Sequence, residues 1–420
     1  MEVIPLALAS YAAIITVGYA VNKYLRLPWM FTTVILGMVL SAAGLFREAF
    51  AGASFAFLSQ MGMLFFLFTI GLDLDLGQMR HLGRYIVGGD LLLTFTEGLL
   101  LALFFYFVLP DFVNHSFVVA LISGIAFGTV GEVVLLAILK EFGMESTRFG
   151  QLALGIGVFD DVFEILALAA VIALPAFLAP EGDGAAWGDA LGIVLTLGGL
   201  IIAALLAGRA SRRARALLQK VPRDSFVPPF LLFGIIFLFI YLGATRFANM
   251  GVVAAIFGGI AVKQLLPEPW LQQYKKPVFF VANIFLGPFF FLSLGSKVSL
   301  GALVSYPLVI VAVVAIALAS RITLSYALFN RLLGRRQAVV LGIGLTSKFN
   351  TSIITENLLL ASGLITAAMY TVLMGAFIVL KPIIVGAFAR GVASVAPQRV
   401  EAAVPMRGQQ GAIPSPVQAE

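Results

Sequence analysis

The sequence contains no cysteine and only two histidines, His81 and His115, among 420 residues. The lack of cysteine excludes disulfide bonds, thiolate metal sites and cysteine nucleophiles, and two histidines are too few for a histidine metal cluster. Charge is also scarce, because Asp, Glu, Lys and Arg make up 11% of the chain, whereas soluble domains contain about 25%. Together with a hydrophobic content of 61%, this excludes a soluble fold of this size. Without a nucleophile–base pair or a metal set, the sequence does not predict an enzyme.

Apolar runs of about 20 residues recur along the whole chain, and each is long enough to cross a hydrocarbon core of about 30 Å. The runs are continuous rather than alternating, which favours membrane-spanning helices over a closed barrel. We therefore predict an all-α polytopic membrane protein with about 13 transmembrane helices. The predicted spans cover residues 4–21, 28–45, 54–72, 86–109, 116–139, 149–175, 188–208, 228–244, 250–266, 278–296, 302–330, 338–361 and 364–388. The chain start lacks the basic segment of a secretory signal, so we expect the first span to be retained.

The 27 basic residues are distributed unevenly between the two sides of this topology. The odd-numbered loops and the C-terminal tail contain 21 of them, whereas the even-numbered loops contain three, Arg47, Arg246 and Lys297. Because Lys and Arg favour the cytoplasmic side, we predict a cell inner-membrane protein with its N-terminus outside and its C-terminus in the cytoplasm. The basic stretch 209–223 is interpreted as a determinant of this topology, so no nucleic-acid partner is expected.

Residues 1–392 are predicted to form one transmembrane transport domain, and residues 393–420 a disordered cytoplasmic tail. The tail is rich in Pro, Gln, Ala and Gly and has no hydrophobic periodicity, which is typical of disordered segments. No Gly-x-Gly-x-x-Gly motif follows a strand pattern, so neither a nucleotide-binding domain nor a bound cofactor is predicted.

The sixth span contains three carboxylates, Asp160, Asp161 and Glu164, with apolar neighbours on both sides. A charge in the middle of a membrane is costly, so ionisable residues there are candidates for function. On a helix, Asp160 and Glu164 are four residues apart and share a face. Burial and mutual repulsion disfavour three negative charges together, so the cluster is predicted to bind either protons or a monovalent cation. The alternative is that these carboxylates pair with basic side chains as structural contacts.

The fifth and twelfth spans are predicted to be interrupted helices, because short stretches rich in Gly, Ser and Thr contain a polar side chain at mid-depth. These stretches are Gly124–Glu132 and Gly342–Ser352. Irregular backbone at that depth occurs only against protein or a wet cavity, and interrupted helices at corresponding positions of two halves indicate a transporter binding site. Close helix packing would explain the glycines, but it would not explain Glu132 and Lys348.

Side chains in the two interruptions are therefore assigned to the site. Thr129 is predicted to act as an ion ligand together with the carboxylates of the sixth span. Glu132, at a positive helix end, and Lys348, at a negative one, are predicted to offset the partial charges of the freed ends. Asn350 is included in this charge-compensating set.

Two further ionisable residues are predicted to balance charge within the membrane. Arg321 lies too deep in the eleventh span to be a terminal anchor, and a guanidinium there needs a carboxylate. One of the two aspartates of the sixth span is the favoured partner. Glu356, in the second half of the twelfth span, is expected to pair with Lys348 or with Lys381.

The fourth span contains two more carboxylates, Asp90 and Glu97. The sequence leaves their role open between lining a cytoplasmic funnel and pairing with a neighbouring side chain.

Three motifs of this chain resemble the monovalent cation:proton antiporter-2 family, which includes Kef-type potassium/proton systems and bacterial sodium/proton antiporters. They are Gly71–Asp75 after the third span, Asp160–Asp161 in the sixth and Pro288–Gly295 in the tenth. The resemblance covers residues 10–388 approximately, and the aspartate pair and the Pro-Phe-Phe-Phe segment are its most specific parts.

The resemblance implies a homodimer in the lipid bilayer, with spans arranged as inverted repeats and the two broken helices crossing at mid-membrane. It also implies a mobile core domain, at about 86–175 and 302–388, that moves against a dimerisation domain at about 1–75 and 188–296.

The resemblance further implies roles for single residues. Asp161 matches the ion-binding aspartate of the family and Asp160 the preceding acid, so these two would hold Na⁺ or K⁺. Arg321 matches the position of a basic partner, which is often lysine. Glu164 is an additional carboxylate, and Thr346–Asn350 departs from the arginine-glycine-acid pattern common there.

We predict a secondary active antiporter that exchanges a monovalent cation for H⁺ by alternating access, with Na⁺ favoured and K⁺ possible. A cation channel-like permease, in which polar residues line a continuous pore, is one alternative. A symporter for an organic anion is another, but the buried carboxylates would repel an anionic substrate. The sequence leaves open the proton stoichiometry, the electrogenicity and any regulatory subunit.

Overall fold

The computed structural model describes residues 3–25, 28–74, 83–177, 184–222, 225–245, 249–348 and 351–395. Within these ranges, the side chains of residues 25, 132–134, 161–162, 176–177 and 184–190 are outside the description. The predicted tail lies outside the described residues from position 396 onwards.

The described chain is helical throughout its regular structure, as the sequence predicts. Its α-helices are α1 (Val3–Ala13), α2 (Tyr19–Leu25), α3 (Trp29–Ala42), α4 (Arg47–Ala51), α5 (Ala53–Asp73), α6 (Arg84–Val108), α7 (Phe117–Gly128), α8 (Glu132–Glu141), α9 (Arg148–Phe177), α10 (Gly184–Leu218), α11 (Val227–Ala244), α12 (Met250–Leu265), α13 (Glu268–Phe279), α14 (Gly287–Ser296), α15 (Leu300–Ser305), α16 (Pro307–Leu333), α17 (Arg335–Leu345), α18 (Ser352–Ala361) and α19 (Ala367–Val395). Two π-helical segments, Ile14–Gly18 and Phe280–Leu286, join α1 to α2 and α13 to α14.

Each predicted span coincides with one helix or with consecutive helices. Eight helical stretches of the described chain are long and apolar enough to cross a membrane. The helix α9 has 30 residues and contains the three carboxylates of the sixth predicted span. The fifth and twelfth predicted spans are each divided into two shorter helices, α7 with α8 and α17 with α18. Because the twelfth span lies an odd number of passes after the fifth, the two interrupted spans run in opposite directions.

Contacts between helices divide the described chain into two groups. In the first group, α5 and α11 pack on α12, and α14 packs on α3 and α5. In the second group, α6 packs on α7, and α16 packs on α6, α17 and α19. The long helix α9 contacts α6, α7 and α8 of the second group, and it also reaches α10 and α12 of the first. The interrupted helices belong to the second group.

Glycine allows two helices of the first group to approach closely. A β-carbon at Gly71 of α5 would collide with the carbonyl oxygen of Ile256 in α12, and one at Gly259 would collide with the carbonyl oxygen of Phe68. Small residues at such contacts are typical of helix pairs in membranes. Gly71, which begins one of the three family-like motifs, therefore has a packing role.

Candidate functional site

The two interrupted helices cross where their backbones leave the helical conformation. Residues 129–131 separate α7 from α8, and residues 346–351 separate α17 from α18. The backbone N–H of Gly131 donates a hydrogen bond to the carbonyl of Ser347 across 2.6 Å. The two breaks therefore touch, and four freed helix ends meet inside the second helix group.

Two positive charges occupy the carboxyl end of α7. The carbonyl of Gly128 accepts a hydrogen bond from the Lys348 ammonium group at 2.7 Å and another from the guanidinium group of Arg321. Both side chains are buried. Because a helix carries a partial negative charge at its carboxyl end, the two cations stabilise this freed end. Lys348 thus lies at a negative helix end, the position that the sequence assigned to it.

The carboxylate of Glu97 in α6 contacts the same two cations and neutralises part of their charge. Its oxygens lie 2.5 Å from Nε of Arg321 and 2.9 Å from Nζ of Lys348, and all three side chains are excluded from solvent. Two sequence-based pairings are thereby corrected. Arg321, expected to pair with Asp160 or Asp161, contacts Glu97. Glu356, expected to pair with Lys348 or Lys381, forms an ion pair with neither, because Lys348 contacts Glu97 and Lys381 donates to a backbone carbonyl. The physical reason is that the sequence indicates only the depth of each charged side chain in the membrane. The rotation of each helix about its axis decides which carboxylate faces Arg321 and Lys348.

The side chain of Asp160, from α9, contacts the backbone just before the amino end of α8, which carries a partial positive charge. Its Oδ2 accepts a hydrogen bond from the backbone N–H of Val130 at 2.5 Å, and its Oδ1 accepts one from the Thr94 hydroxyl group at 3.3 Å. The Asp160 side chain is fully buried. An oriented N–H at a helix start stabilises a negative group, so the backbone break itself provides part of the environment of this carboxylate.

The hydroxyl group of Thr94 connects the charged side chains of the crossing. It accepts a hydrogen bond from Arg321 at 3.1 Å and lies 3.3 Å from Asp160 Oδ1 and 3.5 Å from Asp90 Oδ1. Asp90 and Asp160 thus lie beside the same hydroxyl group. Arg321 therefore reaches Asp160 through Thr94 and not by a direct ion pair.

One face of α6 supplies three of these groups. Asp90, Thr94 and Glu97 are separated by four and three residues, the spacing that places side chains on one side of a helix. All three are fully buried. Of the two carboxylates whose role the sequence left open, Glu97 pairs with basic side chains of the site, whereas Asp90 lies 3.5 Å from the Thr94 hydroxyl group. The sequence analysis did not predict Thr94. Its position between Asp90 and Glu97, on the same helix face, could have indicated it.

The remaining predicted ion ligands have different positions. Glu164 is buried on α9, one turn after Asp160. Thr129 has an extended backbone at the end of α7, and its hydroxyl group donates to the carbonyl of Ala126 at 2.9 Å. The side chain of Asp161 lies outside the described residues.

Of the remaining residues predicted to compensate charge, Glu356 has a described side chain, whereas Glu132 and Asn350 do not. Glu132 begins α8, but its side chain is outside the description, as is Asn350 entirely. Glu356 of α18 accepts a hydrogen bond from the Ser123 hydroxyl group at 2.8 Å. Lys381 donates to the backbone carbonyl of Lys348 at 3.1 Å, which ties α19 to the break between α17 and α18.

The arrangement leaves carboxylates available beside the ion triad of Glu97, Arg321 and Lys348. Glu97 engages both Arg321 and Lys348, whereas Asp160 and Asp90 have no basic side chain within ion-pair distance among the described residues. Two buried, neighbouring carboxylates are unfavourable when both are charged. Protonation or binding of a small cation relieves this repulsion, and oxygen ligands are those that hard cations prefer.

Comparison with known proteins identifies a related family and a similar fold. Residues 11–390 match the family described as sodium/hydrogen exchanger, transmembrane. The fold is similar to that of the sodium proton antiporter MjNhaP1 from Methanocaldococcus jannaschii, whose structure was determined at pH 8. The two chains superpose with a TM-score of 0.62 at 16% sequence identity, over 94% of this chain and 99% of the other.

Proposed function

The chain belongs to the transmembrane sodium/hydrogen exchanger family and is a cation/proton antiporter, and we propose that the cation and protons compete for Asp160 and Asp161 where the interrupted helices cross. As a member of this family it is a multi-pass membrane transporter rather than an enzyme. The observation that carries the proposal is the environment of Asp160. This carboxylate is fully buried at the crossing, beside Asp90, and has no ion-pair partner among the described side chains.

A buried carboxylate in that position is stable when it holds a proton or a cation. The negatively charged, empty form is disfavoured because of desolvation and because of the neighbouring acid. A transport cycle therefore passes between the cation-loaded and the protonated form. The two transport steps are coupled because the site moves from one side of the membrane to the other with either a cation or a proton bound.

The residues around Asp160 have separate roles in this proposal. Asp161 and Asp160 hold the cation, with Glu164 and Thr129 nearby as further oxygen ligands. Arg321 and Lys348 stabilise the freed end of α7, and Glu97 neutralises part of their charge. The transported cation, Na⁺ with K⁺ as the alternative, thus enters a site whose basic side chains already contact Glu97 and the carbonyl of Gly128.

Alternating access is proposed to use the two helix groups. The second group, which contains the crossing, corresponds to the core domain at about 86–175 and 302–388, and the first to the dimerisation domain at about 1–75 and 188–296. Contacts between helices are extensive within each group and fewer between them, which supports a sliding movement of one group against the other. The protein is proposed to be a homodimer in the cell inner membrane, with its N-terminus outside and its C-terminus in the cytoplasm.

Within the family, we place the chain in the monovalent cation:proton antiporter-2 branch. The support is the three motifs, Gly71–Asp75, Asp160–Asp161 and Pro288–Gly295. The Asp160–Asp161 pair distinguishes this chain from Kef-type relatives, which tend to have an amide side chain in place of the first acid.

Exchange in everted membrane vesicles, followed with a ΔpH-sensitive dye, tests the function. Addition of Na⁺, and separately of K⁺, should dissipate a respiration-driven ΔpH when the wild-type protein is present. Asp161→Asn should abolish this response while the protein still inserts and dimerises. Full activity of Asp161→Asn would remove that residue from the site, and failure of any cation gradient to drive protons uphill would favour a channel-like permease.

A further inference from the structure

A further buried carboxylate, Glu356, lies in α18, the helix that follows the second break. The Glu356 side chain is fully buried, and its Oε2 accepts a hydrogen bond from Ser123 at 2.8 Å. Its second oxygen, Oε1, has no hydrogen-bond partner among the described residues. No basic side chain lies within ion-pair distance of Glu356 in the described chain, unlike Glu97.

Further buried oxygens without a partner in the described chain precede Glu356. Ser352 is four residues earlier, on the same face of α18, and its hydroxyl oxygen is buried and unpartnered. The hydroxyl oxygens of Thr351 and Ser347, in the break between α17 and α18, share this property. With a rise of about 1.5 Å per residue, Glu356 is about 6 Å along the helix axis from the break. Buried oxygens without a partner in the described chain thus occur both in the break and on the face of α18 that carries Glu356.

The residue that follows Glu356 contacts an exposed lysine. Asn357, the next residue, accepts a hydrogen bond from the Lys297 ammonium group at 2.7 Å, and Lys297 is exposed. Lys297 follows α14 of the first helix group, so this contact also lies between the two groups. A contact between the two helix groups therefore lies at the residue next to Glu356.

We propose that Glu356, with the hydroxyl groups of Ser123 and Ser352, is a second proton-binding site of this antiporter, separate from the carboxylates at the crossing. A proton on Oε1 neutralises the buried charge and gives that oxygen a hydrogen to donate. One carboxyl group and two hydroxyl groups are enough for a proton, whereas a bare cation needs more oxygen ligands to replace its water. The proposal extends the antiport function but does not depend on which aspartate binds the cation.

The helices that pack on α18 are one source of titratable groups near this site in the described chain. The helix α7, which contributes Ser123, has none. The helix α19 contributes Tyr370, whose hydroxyl group donates to the carbonyl of Leu294 at 3.1 Å, and Lys381, which donates to the carbonyl of Lys348 at 3.1 Å. Lys297 is near the neighbouring residue, Asn357. The helix α9, which also packs on α18, contains Asp160, Asp161 and Glu164.

Infrared difference spectra between acidic and alkaline buffer test the proposal on the purified full-length protein in lipid. The wild type should show the carbonyl stretch of a protonated carboxyl group that disappears at alkaline pH, and Glu356→Gln should lack this component. Glu356→Asp should retain a titrating band. Ser123→Ala should shift its frequency, because the hydrogen bond to the carboxyl group is lost while the carboxyl group remains.

Proton uptake by the same samples gives a second measurement. Between the two buffers, Glu356→Gln should take up one proton fewer per chain than the wild type. An unchanged spectrum and unchanged uptake in a folded Glu356→Gln protein would overturn the proposal. So would loss of the Glu356 band on addition of Na⁺ or K⁺ at constant pH, since that would make Glu356 a cation ligand. Both readouts are independent of transport, so a failure of the proposed exchange at Asp160 and Asp161 would be seen separately in vesicles.

Discussion

Both carboxylate oxygens of Glu97 contact the ammonium nitrogen of Lys348, at 2.9 and 3.0 Å. This contact joins a continuous helix of the first half of the chain to the break in the second interrupted helix. Arg321 completes the triad through Glu97 Oε2. Because one carboxylate serves two buried cations, the triad fixes the crossing in place and leaves the neighbouring aspartates available for transport.

Glu97→Gln should destabilise the protein strongly. The change leaves Arg321 and Lys348 buried beside each other without a counter-charge, and breaking a buried ion pair in this way costs about 3–5 kcal/mol. The thermal midpoint in detergent, measured by fluorescence-detected size exclusion, should fall markedly.

Glu97→Asp is the matched control, because it keeps the charge and shortens the side chain by one methylene group. It should lose less stability than Glu97→Gln. Equal midpoints for Glu97→Gln and the wild type would show that Glu97 does not hold the two cations together.

The sequence was sufficient to predict an all-helical membrane fold and the two interruptions. Continuous apolar runs have a direct physical cause in the bilayer, whereas the orientation inferred from Lys and Arg stays a prediction. Gly-rich stretches with a charged residue at mid-depth, such as Gly124–Glu132, are typical of interrupted helices in transporters. The burial of Arg321 and of Lys348 also followed from their place in the spans.

The pairing within the site could not be predicted in the same way. Glu97 and Arg321 are 224 residues apart in the chain, and hydropathy gives the depth of each side chain but not the direction that it faces. Thr94 carries no charge and is unremarkable in a hydrophobic span. Its role depends on the relative rotation of α6, α9 and α16, which is determined by packing between helices.

Thr94→Val should weaken cation binding while the fold is preserved, because the two side chains have nearly the same shape. Asp160 loses a hydrogen-bond donor, and Arg321 loses an acceptor. A hydrogen bond to a charged group contributes about 1.5–3 kcal/mol, so the apparent KM for the cation should rise about ten-fold or more. Exchange rates over a series of cation concentrations measure this change.

Thr94→Ser keeps the hydroxyl group and serves as the matched control for Thr94→Val. Its apparent KM should stay close to that of the wild type. If Thr94→Val and Thr94→Ser behave alike, the hydroxyl group does not act on Asp160.

Gly71→Ala should destabilise the packing of α5 on α12. The new β-carbon would collide with the backbone carbonyl of Ile256, and neither backbone can move without separating the helices. Overpacking of this kind typically costs about 1–3 kcal/mol, which should lower the thermal midpoint.

Gly88→Ala in α6 is the control for Gly71→Ala, because a β-carbon at Gly88 meets no atom within 4 Å. It should be neutral or slightly stabilising. A midpoint for Gly71→Ala as high as that for Gly88→Ala would contradict the close contact.

Competition between protons and the cation predicts how transport depends on pH. At low pH, protons occupy the carboxylates at Asp160 and Asp161, so more cation is needed to displace them and its apparent KM is high. As pH rises, deprotonation frees the site and the apparent KM should fall, until protons no longer compete and it becomes constant. The maximal rate should then decrease at high pH, because the returning site lacks the proton that neutralises its buried charge.

Activity at fixed cation concentration should therefore be bell-shaped in pH, and its acid limb should move to lower pH as the cation concentration increases. Initial rates in proteoliposomes, measured over a grid of pH and cation concentration, test both parts. Asp160→Asn is the informative variant, since it removes one of the competing carboxylates and should change the slope of the acid limb. A channel would conduct the cation without such a coupled shift, because no proton has to leave before the cation enters. An acid limb that stays at one pH at every cation concentration would show that the two ions do not share a site.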